Sequence, residues 1–341
     1  MRGAVRRRGR MPPVAGSPWR LTAGAGLALT AVLFLLPLLT VRGEGGGAAG
    51  ETENAPLTAT APEGQTTRAA RDRGHIVKLL QPDGTVEELT MVDYLFGVVA
   101  AEMPAAFEEE ALKAQACAAR TYTVVRQASA HAAHPQADVC TDSGCCQAYV
   151  ERQAAETRWG ISAGTYSAKI SQAVADTDGL GILYQGAPIQ AVFFSSAPGQ
   201  TADAVAVWGS QVDYLKSVSS PEGDEVPNYR SQVVLTAEEV RSRVLAAYPG
   251  ADLSGDPSGW LGTPASSGGA VTSIPVGGVT LTGSQVRTLF SLRSAAFTVA
   301  WDGTSFIFSV TGYGHGVGMS QYGANAMAKE GSSFRDILTW Y

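Results

Sequence analysis

Acidic residues are absent from the first 42 positions of this chain, although Arg2, Arg6, Arg7, Arg8, Arg10, Arg20 and Arg42 all lie there. Charge of either sign is then missing from Leu21 to Thr40. Twenty uncharged residues rising about 1.5 Å each span about 30 Å, the thickness of a bilayer core. Arginines before such a run stay cytoplasmic, so residues 43–341 are expected outside. No clean small-x-small cleavage site comes directly after the run, which favours an uncleaved anchor over a removed signal peptide. The remaining residues hold 18 of the 25 basic residues against all 31 acids, a net charge of −13. That balance excludes the basic footprint of a nucleic-acid binder. It also excludes attachment to anionic polymers by bulk attraction, so any such substrate is gripped locally. Histidine is scarce, four in 341 residues, and no HExxH spacing occurs; the zinc-peptidase arrangement is therefore missing. No internal repeat is visible.

What is present is a globular composition, 45% hydrophobic, enough for one large core or two moderate ones. The expected order is a basic tail (1–20), a transmembrane helix (21–41) and a flexible linker (42–73) rich in Gly, Ala, Thr and Pro. An α+β body comes next, made of a first part (74–227), a smaller inserted lobe (228–295) and a C-terminal segment (296–341) that completes the body. The runs flanking Asp83-Gly84 predict a hairpin. Thr90 with Asp93 predicts the start of a helix over MVDYLFGVVAAE, which Pro104 must end. A second helix is expected from about Phe107 to Ala130, with Glu108, Glu109 and Glu110 in its first turn. Lys113, Cys117 and Arg120 share one of its faces. ILYQG, AVFFSS, AVWGS and YLKSV, between residues 180 and 219, read as strands. TAEEVRSRVLAAY reads as an amphipathic helix, and Phe297 to Thr311 as a hairpin about Asp302-Gly303.

Three features carry chemistry. Glu102 stands at the last turn of an apolar helix, where burial and the negative end of the dipole both disfavour its charge, as a general acid near neutral pH requires. Downstream, TGYGHGVGMSQYGANAMAKEG alternates glycine with other residues from Gly312 to Gly318, so its bare backbone can approach another segment closely. His134, Cys140, Cys145 and Cys146 fall within thirteen residues. Their spacing matches no standard zinc finger; outside a membrane a Cys140–Cys146 disulfide is chemically permitted, and free thiols are the remaining alternative.

The glycine segment, together with VVAAEMPAAFEEEALKAQACAARTY (98–122), closely resembles the stage II sporulation protein D family of lytic transglycosylases. The resemblance covers roughly residues 75 to 341. It implies that Glu102 is the single catalytic acid, cutting between N-acetylmuramic acid and N-acetylglucosamine with a 1,6-anhydro product. It implies substrate contacts from Lys113, Arg120, Ser195, Tyr214, His315 and Gln321, and a zinc held by His134, Cys140 and Cys146. It further implies a substrate of peptidoglycan strands stripped of stem peptides, and work during forespore engulfment beside an amidase and a sporulation membrane protein. FFSSAPGQT departs from the family's pattern, with Phe194 for a usual histidine and Pro198 for the first glycine. The rival readings are a non-catalytic peptidoglycan-binding scaffold and a zinc-dependent wall hydrolase.

Overall fold

The computed structural model describes residues 70–129 and 131–341. The expected tail and anchor, and the linker up to residue 69, lie outside the described residues; residues 70–73, expected to belong to that linker, are helical instead, and Asp72 among them is buried. Among the described residues no helix is long and apolar enough to cross a membrane.

The body opens with a short helix, α1 (Ala70–Gly74), and a hairpin of β1 (Ile76–Leu80) and β2 (Val86–Thr90), with the turn expected at Asp83-Gly84. Thr90 caps α2 (Met91–Glu102) by accepting the Asp93 N–H. Pro104 stands one residue beyond the helix cap, and the last turn is closed by the Met103 N–H on Val99. Next comes α3 (Glu109–Gln127), with Glu109 and Glu110 at its positive end. Alanines 111, 114, 116, 118 and 119 of α3 are all buried. Side chains this small let neighbouring backbones approach closely. The two-residue strand β3 (Val139–Cys140) joins β1 in parallel, and α4 (Arg152–Trp159) and α5 (Ala163–Asp176) complete the helical layer. Tyr94, Leu95, Phe96, Val98 and Val99 of α2, Leu112 of α3 and Ile170 of α5 form the centre of this core.

Between residues 180 and 219 the structure has less strand than the sequence suggests. β4 (Leu183–Tyr184), β5 (Ala187–Pro188) and β6 (Phe193–Phe194) are two residues each. AVAVW is a helical turn, α6 (Ala204–Trp208), ended by Gly209 at φ 76°, and residues 214–218 form no strand. The β-branched composition misleads here because the segment packs in a small cluster of its own with Val317, with no long sheet partner to pair with.

A second core is built from β7 (Arg230–Thr236), α7 (Ala237–Ala247), the antiparallel β8 (Ala265–Ser267), β9 (Ala270–Val276) and β10 (Val279–Leu281), and α8 (Gly283–Phe290). The hairpin β11 (Phe297–Trp301) and β12 (Ser305–Thr311) belongs to this core, since β12 pairs with β7 along its whole length and Phe297, Phe306, Phe308 and Val310 are buried in it. The chain then returns to the first core through β13 (Met319–Ser320), α9 (Gln321–Lys329) and α10 (Phe334–Trp340), which bury Met319, Ala324 and Ile337 there.

Two cations expected to face a ligand are inside the body instead. Arg120 is 3% exposed and Asp72 likewise; the Arg120 Nε and Nη2 both donate to the Asp72 carboxylate, and Nη1 donates to the Leu180 carbonyl at 2.9 Å. This forked pair ties α1 to α3 and leaves no guanidinium edge for a substrate. Lys113 lies 3.0, 2.9 and 3.3 Å from Glu109, Glu110 and Asp176. Burial alone would lower its pKa, but hydrogen bonds to Glu110, Glu109 and Asp176 hold it above the usual lysine value.

Removing one member of the buried pair strands the other. Asp72→Ala is expected to cost about 3–5 kcal/mol in urea unfolding, whereas Asp72→Leu with Arg120→Leu should recover most of that loss. An Asp72→Ala cost below about 1 kcal/mol would show that the pair does not hold the helices together.

Candidate active site

Glu102 is half-buried at the end of α2. One carboxylate oxygen accepts the Ala148 N–H at 2.7 Å, and the other lies 3.5 Å from the Gln321 amide nitrogen. No ion pair to Glu102 exists among the described residues, and the helix end adds negative potential. Burial raises its pKa above the ordinary glutamate value, opposed by the Ala148 and Gln321 hydrogen bonds. The result is a carboxyl that holds a proton more readily than a solvated one, beside a fixed N–H that stabilises the anion once the proton has left.

Gly97 makes this placement possible. A Cβ there would stand 2.7 Å from the Val150 carbonyl and run into the Tyr149 ring. Without it, residues 148–150 lie flat on α2, with the Val150 N–H on the Gly97 carbonyl at 3.2 Å. The Ala148 N–H thereby reaches Glu102, five residues further along the same helix.

Gln321 arrives through the glycine segment. Gly314 (φ 120°) and Gly318 (φ 75°) take conformations that a side chain resists, and added Cβ atoms would strike Phe194 and the Val192 carbonyl. The segment therefore runs against residues 192–197, and β13 pairs in parallel with β6. Ser320 caps α9, placing Gln321 at its first position. Its amide also lies 3.4 Å from the Gln115 side-chain oxygen, and Gln115 is fully buried. Gln115 thus joins the site unforeseen. Its signal in the sequence is a lone amide on the alanine face of α3, a polar group that burial obliges to find a partner.

Of the other expected contacts, Ser195 is drawn in beside α9, its carbonyl accepting the Tyr322 N–H at 3.0 Å. Tyr214 accepts the Gln190 N–H at 3.0 Å and its ring stands 5.3 Å from that of Tyr184. His315 is a pin: Nε2–H donates to the Phe193 carbonyl at 3.0 Å and Nδ1 accepts the Val317 N–H at 3.1 Å. Burial pushes its pKa down to about 4 against the Phe193 bond. Both ring nitrogens are used within the protein, so His315 has none for a ligand.

The ligating atoms of His134, Cys140, Cys145 and Cys146 all lie within 4.8 Å of one another, and the four cysteines of the described residues are free thiols. His134 turns Nδ1 toward the Ala137 carbonyl at 3.1 Å and Nε2 toward the Cys146 sulfur at 3.2 Å. A backbone acceptor on one nitrogen, with the other turned toward a cysteine sulfur, is an arrangement that suits a metal-ligating imidazole. Cys145 is an addition to the expected set, since the family resemblance gives it no role. The tight Asp142–Cys146 turn, with the Cys145 and Cys146 N–H groups both on the Asp142 carbonyl, carries it in. Cys146 leads directly through Gln147 to Ala148.

Residues 82–184 match the family model described as stage II sporulation protein. The chain is 37% identical over 319 residues to stage II sporulation protein D of Bacillus subtilis, covering 92% of this chain and 91% of that one. It is 37% identical to the Bacillus amyloliquefaciens protein of the same name, over 75% of this chain and 74% of the other. A more distant likeness, 27% identity over 72% of this chain and 39% of the relative, is to the amidase enhancer of Bacillus subtilis. With this extent of identity, and with the AAEMP acid and the glycine segment meeting at one site, the chain belongs to the stage II sporulation protein D family.

Proposed function

We propose that this protein is a membrane-anchored lytic transglycosylase that cuts peptidoglycan between N-acetylmuramic acid and N-acetylglucosamine, outside the membrane and during engulfment of the forespore. The observation that carries this reading is Glu102, a half-buried carboxyl with a raised pKa, one anchoring N–H and no cation beside it. Protonated, Glu102 gives its proton to the glycosidic oxygen as the bond to C1 breaks. The resulting carboxylate, stabilised by the Ala148 N–H, takes the proton of the muramoyl 6-hydroxyl as that oxygen closes on C1. Proton and electron pairs balance with one acid and no water, which suits a site where no second carboxylate bonds to Glu102 among the described residues. Gln321, held by Gln115, orients the acid and offers its amide to the sugar. The amidase enhancer relative supports a setting that includes an amidase; in this reading the amidase strips the stem peptides first and a sporulation membrane protein holds the assembly.

The donor set of His134, Cys140 and Cys146, with Cys145 in reach, fits zinc. Bound there, zinc would clamp the 134–146 segment. The protein's own residues then carry the benefit to the site, because Gln147 and Ala148 continue from Cys146 and Ala148 holds Glu102.

Glu102→Gln keeps the shape and removes the transferable proton. It should lower the rate of cutting on stripped glycan by about 10²-fold to 10⁴-fold while glycan binding survives. In the wild type the rate should fall on the alkaline side with an apparent pKa above the ordinary glutamate value of about 4.3, since the acid must be protonated to act. Anhydro ends in mass spectra of the digest support the reading; unchanged glycan would favour a binding scaffold, and released peptides a wall hydrolase.

For zinc, metal analysis of protein purified without added metal should find about one zinc per chain, and Cys146→Ser should abolish it. A fully active, metal-free protein would remove zinc from the account.

A further inference from the structure

A pocket of about 410 Å³ on the second core is lined by Arg287, Thr288, Ser291, Leu292, Arg293 and Tyr313. Neither guanidinium has an acid partner among the described residues. Arg287 turns its Nε inward, onto the Arg293 carbonyl at 3.2 Å, which leaves its outer nitrogens for the pocket. Arg293 lies 4.1 Å over the exposed Tyr313 ring, and its Nε is buried without a hydrogen-bond partner. Two half-buried cations sharing one concavity repel each other, and a buried N–H without an acceptor costs free energy. An anion with several acceptor oxygens relieves both. In an exported body of net charge −13, such a pair is a local departure from the prevailing sign.

The pocket adjoins the active-site segment. Tyr313 lies in the glycine run that leads to Gln321, and Arg293 acts electrostatically on Tyr322, the residue after Gln321. A polymer lying along this segment would run from the arginine pocket toward Gln321, whose amide meets Glu102. Peptidoglycan stripped of its stem peptides carries a free lactyl carboxylate on each muramic acid; with the peptide attached that group is an uncharged amide. We propose that Arg287 and Arg293 bind this carboxylate, and so select stripped glycan over peptide-bearing strands. The fork of a guanidinium matches a carboxylate in shape and charge, and Tyr313 offers an aromatic edge to the neighbouring sugar. The proposal rests on the transglycosylase reading for its substrate, and adds to it the residues that recognise the stripped state.

The test compares binding of three probes to full-length protein carrying Glu102→Gln, in which cutting is slowed enough for binding to be read. The probes are stripped glycan oligomers, the same oligomers with their carboxylates converted to methylamides, and a polyol-phosphate wall polymer. Stripped glycan should bind about tenfold or more tighter than the amidated form, the scale of one charge-assisted contact. Arg287→Ala with Arg293→Ala should erase that preference, and Arg287→Lys with Arg293→Lys should restore part of it. Equal affinity for the two glycans overturns the proposal, and this comparison needs no arginine variant to fold. A preference that survives loss of both arginines overturns it too, as does arginine-dependent binding of the phosphate polymer without discrimination between the glycans. Failure to bind either glycan would sink the transglycosylase reading itself, whereas equal binding sinks only the arginine assignment.

Discussion

The buried carboxylate of Glu222 joins three segments on which the site depends. It accepts the Ala197 N–H at 2.6 Å, the Ser220 hydroxyl at 2.5 Å and the hydroxyl of Ser320. Ser220 also meets the Tyr341 hydroxyl at 2.6 Å, and Tyr229 holds the Ala197 carbonyl at 3.0 Å. A carboxylate 4% exposed is tolerable only with its oxygens so engaged. Residues 195–197, 220–222 and 320 are thereby tied at the point where the chain leaves the second core and returns to the first. Gly323 completes the knot, since a Cβ there would collide with Tyr341, Ser220 and Glu222 together. Gln321 sits between Ser320 and Gly323, so its approach to Glu102 is set by this arrangement.

The site joins one rigid wall to one assembled wall. Glu102 rides on α2, whose residues 94–100 are buried nearly without exception, and a scaffold this closely packed holds a side chain in place. The opposing groups come from segments with little regular structure of their own, Gln147 to Val150 and the glycine run. Each approaches because a glycine removes the obstructing atom: Gly97 for the first, Gly314 and Gly318 for the second. The cysteine and histidine cluster stands just before the first of these segments and can stiffen it. The knot at Glu222 stiffens the second. An acid with a raised pKa needs that rigidity, because water entering beside it would restore the solvation of its charged form.

Much of the local structure is legible in the residues. The hairpin at Asp83-Gly84, the cap at Thr90, the stop at Pro104 and the hairpin at Asp302-Gly303 are dictated by backbone chemistry within a few positions, and all stand where expected. Glu102 is legible as a perturbed acid, because an apolar helix end acts on it without help from distant chain. Strand after residue 180 is overstated by composition, since pairing partners decide a strand and those this segment finds extend over only two residues each.

Sequence by itself determined the helices at 91–102, 109–127 and 237–247, the hairpin turns, the position of the acid and the segregation of charge toward the amino-terminal end, because each depends on neighbours a few residues apart. Only the tertiary structure decided what the polar side chains meet. Arg120 lies on a helix face that could have been solvated, yet Asp72, 48 positions away, absorbs it, and Asp176 joins the local Glu109 and Glu110 on Lys113. His315 spends both nitrogens on residues 193 and 317, Gln115 finds Gln321 across 206 positions, and Cys145 is turned in beside His134. A side chain's partner is set by where remote segments pack, and no local pattern encodes that distance.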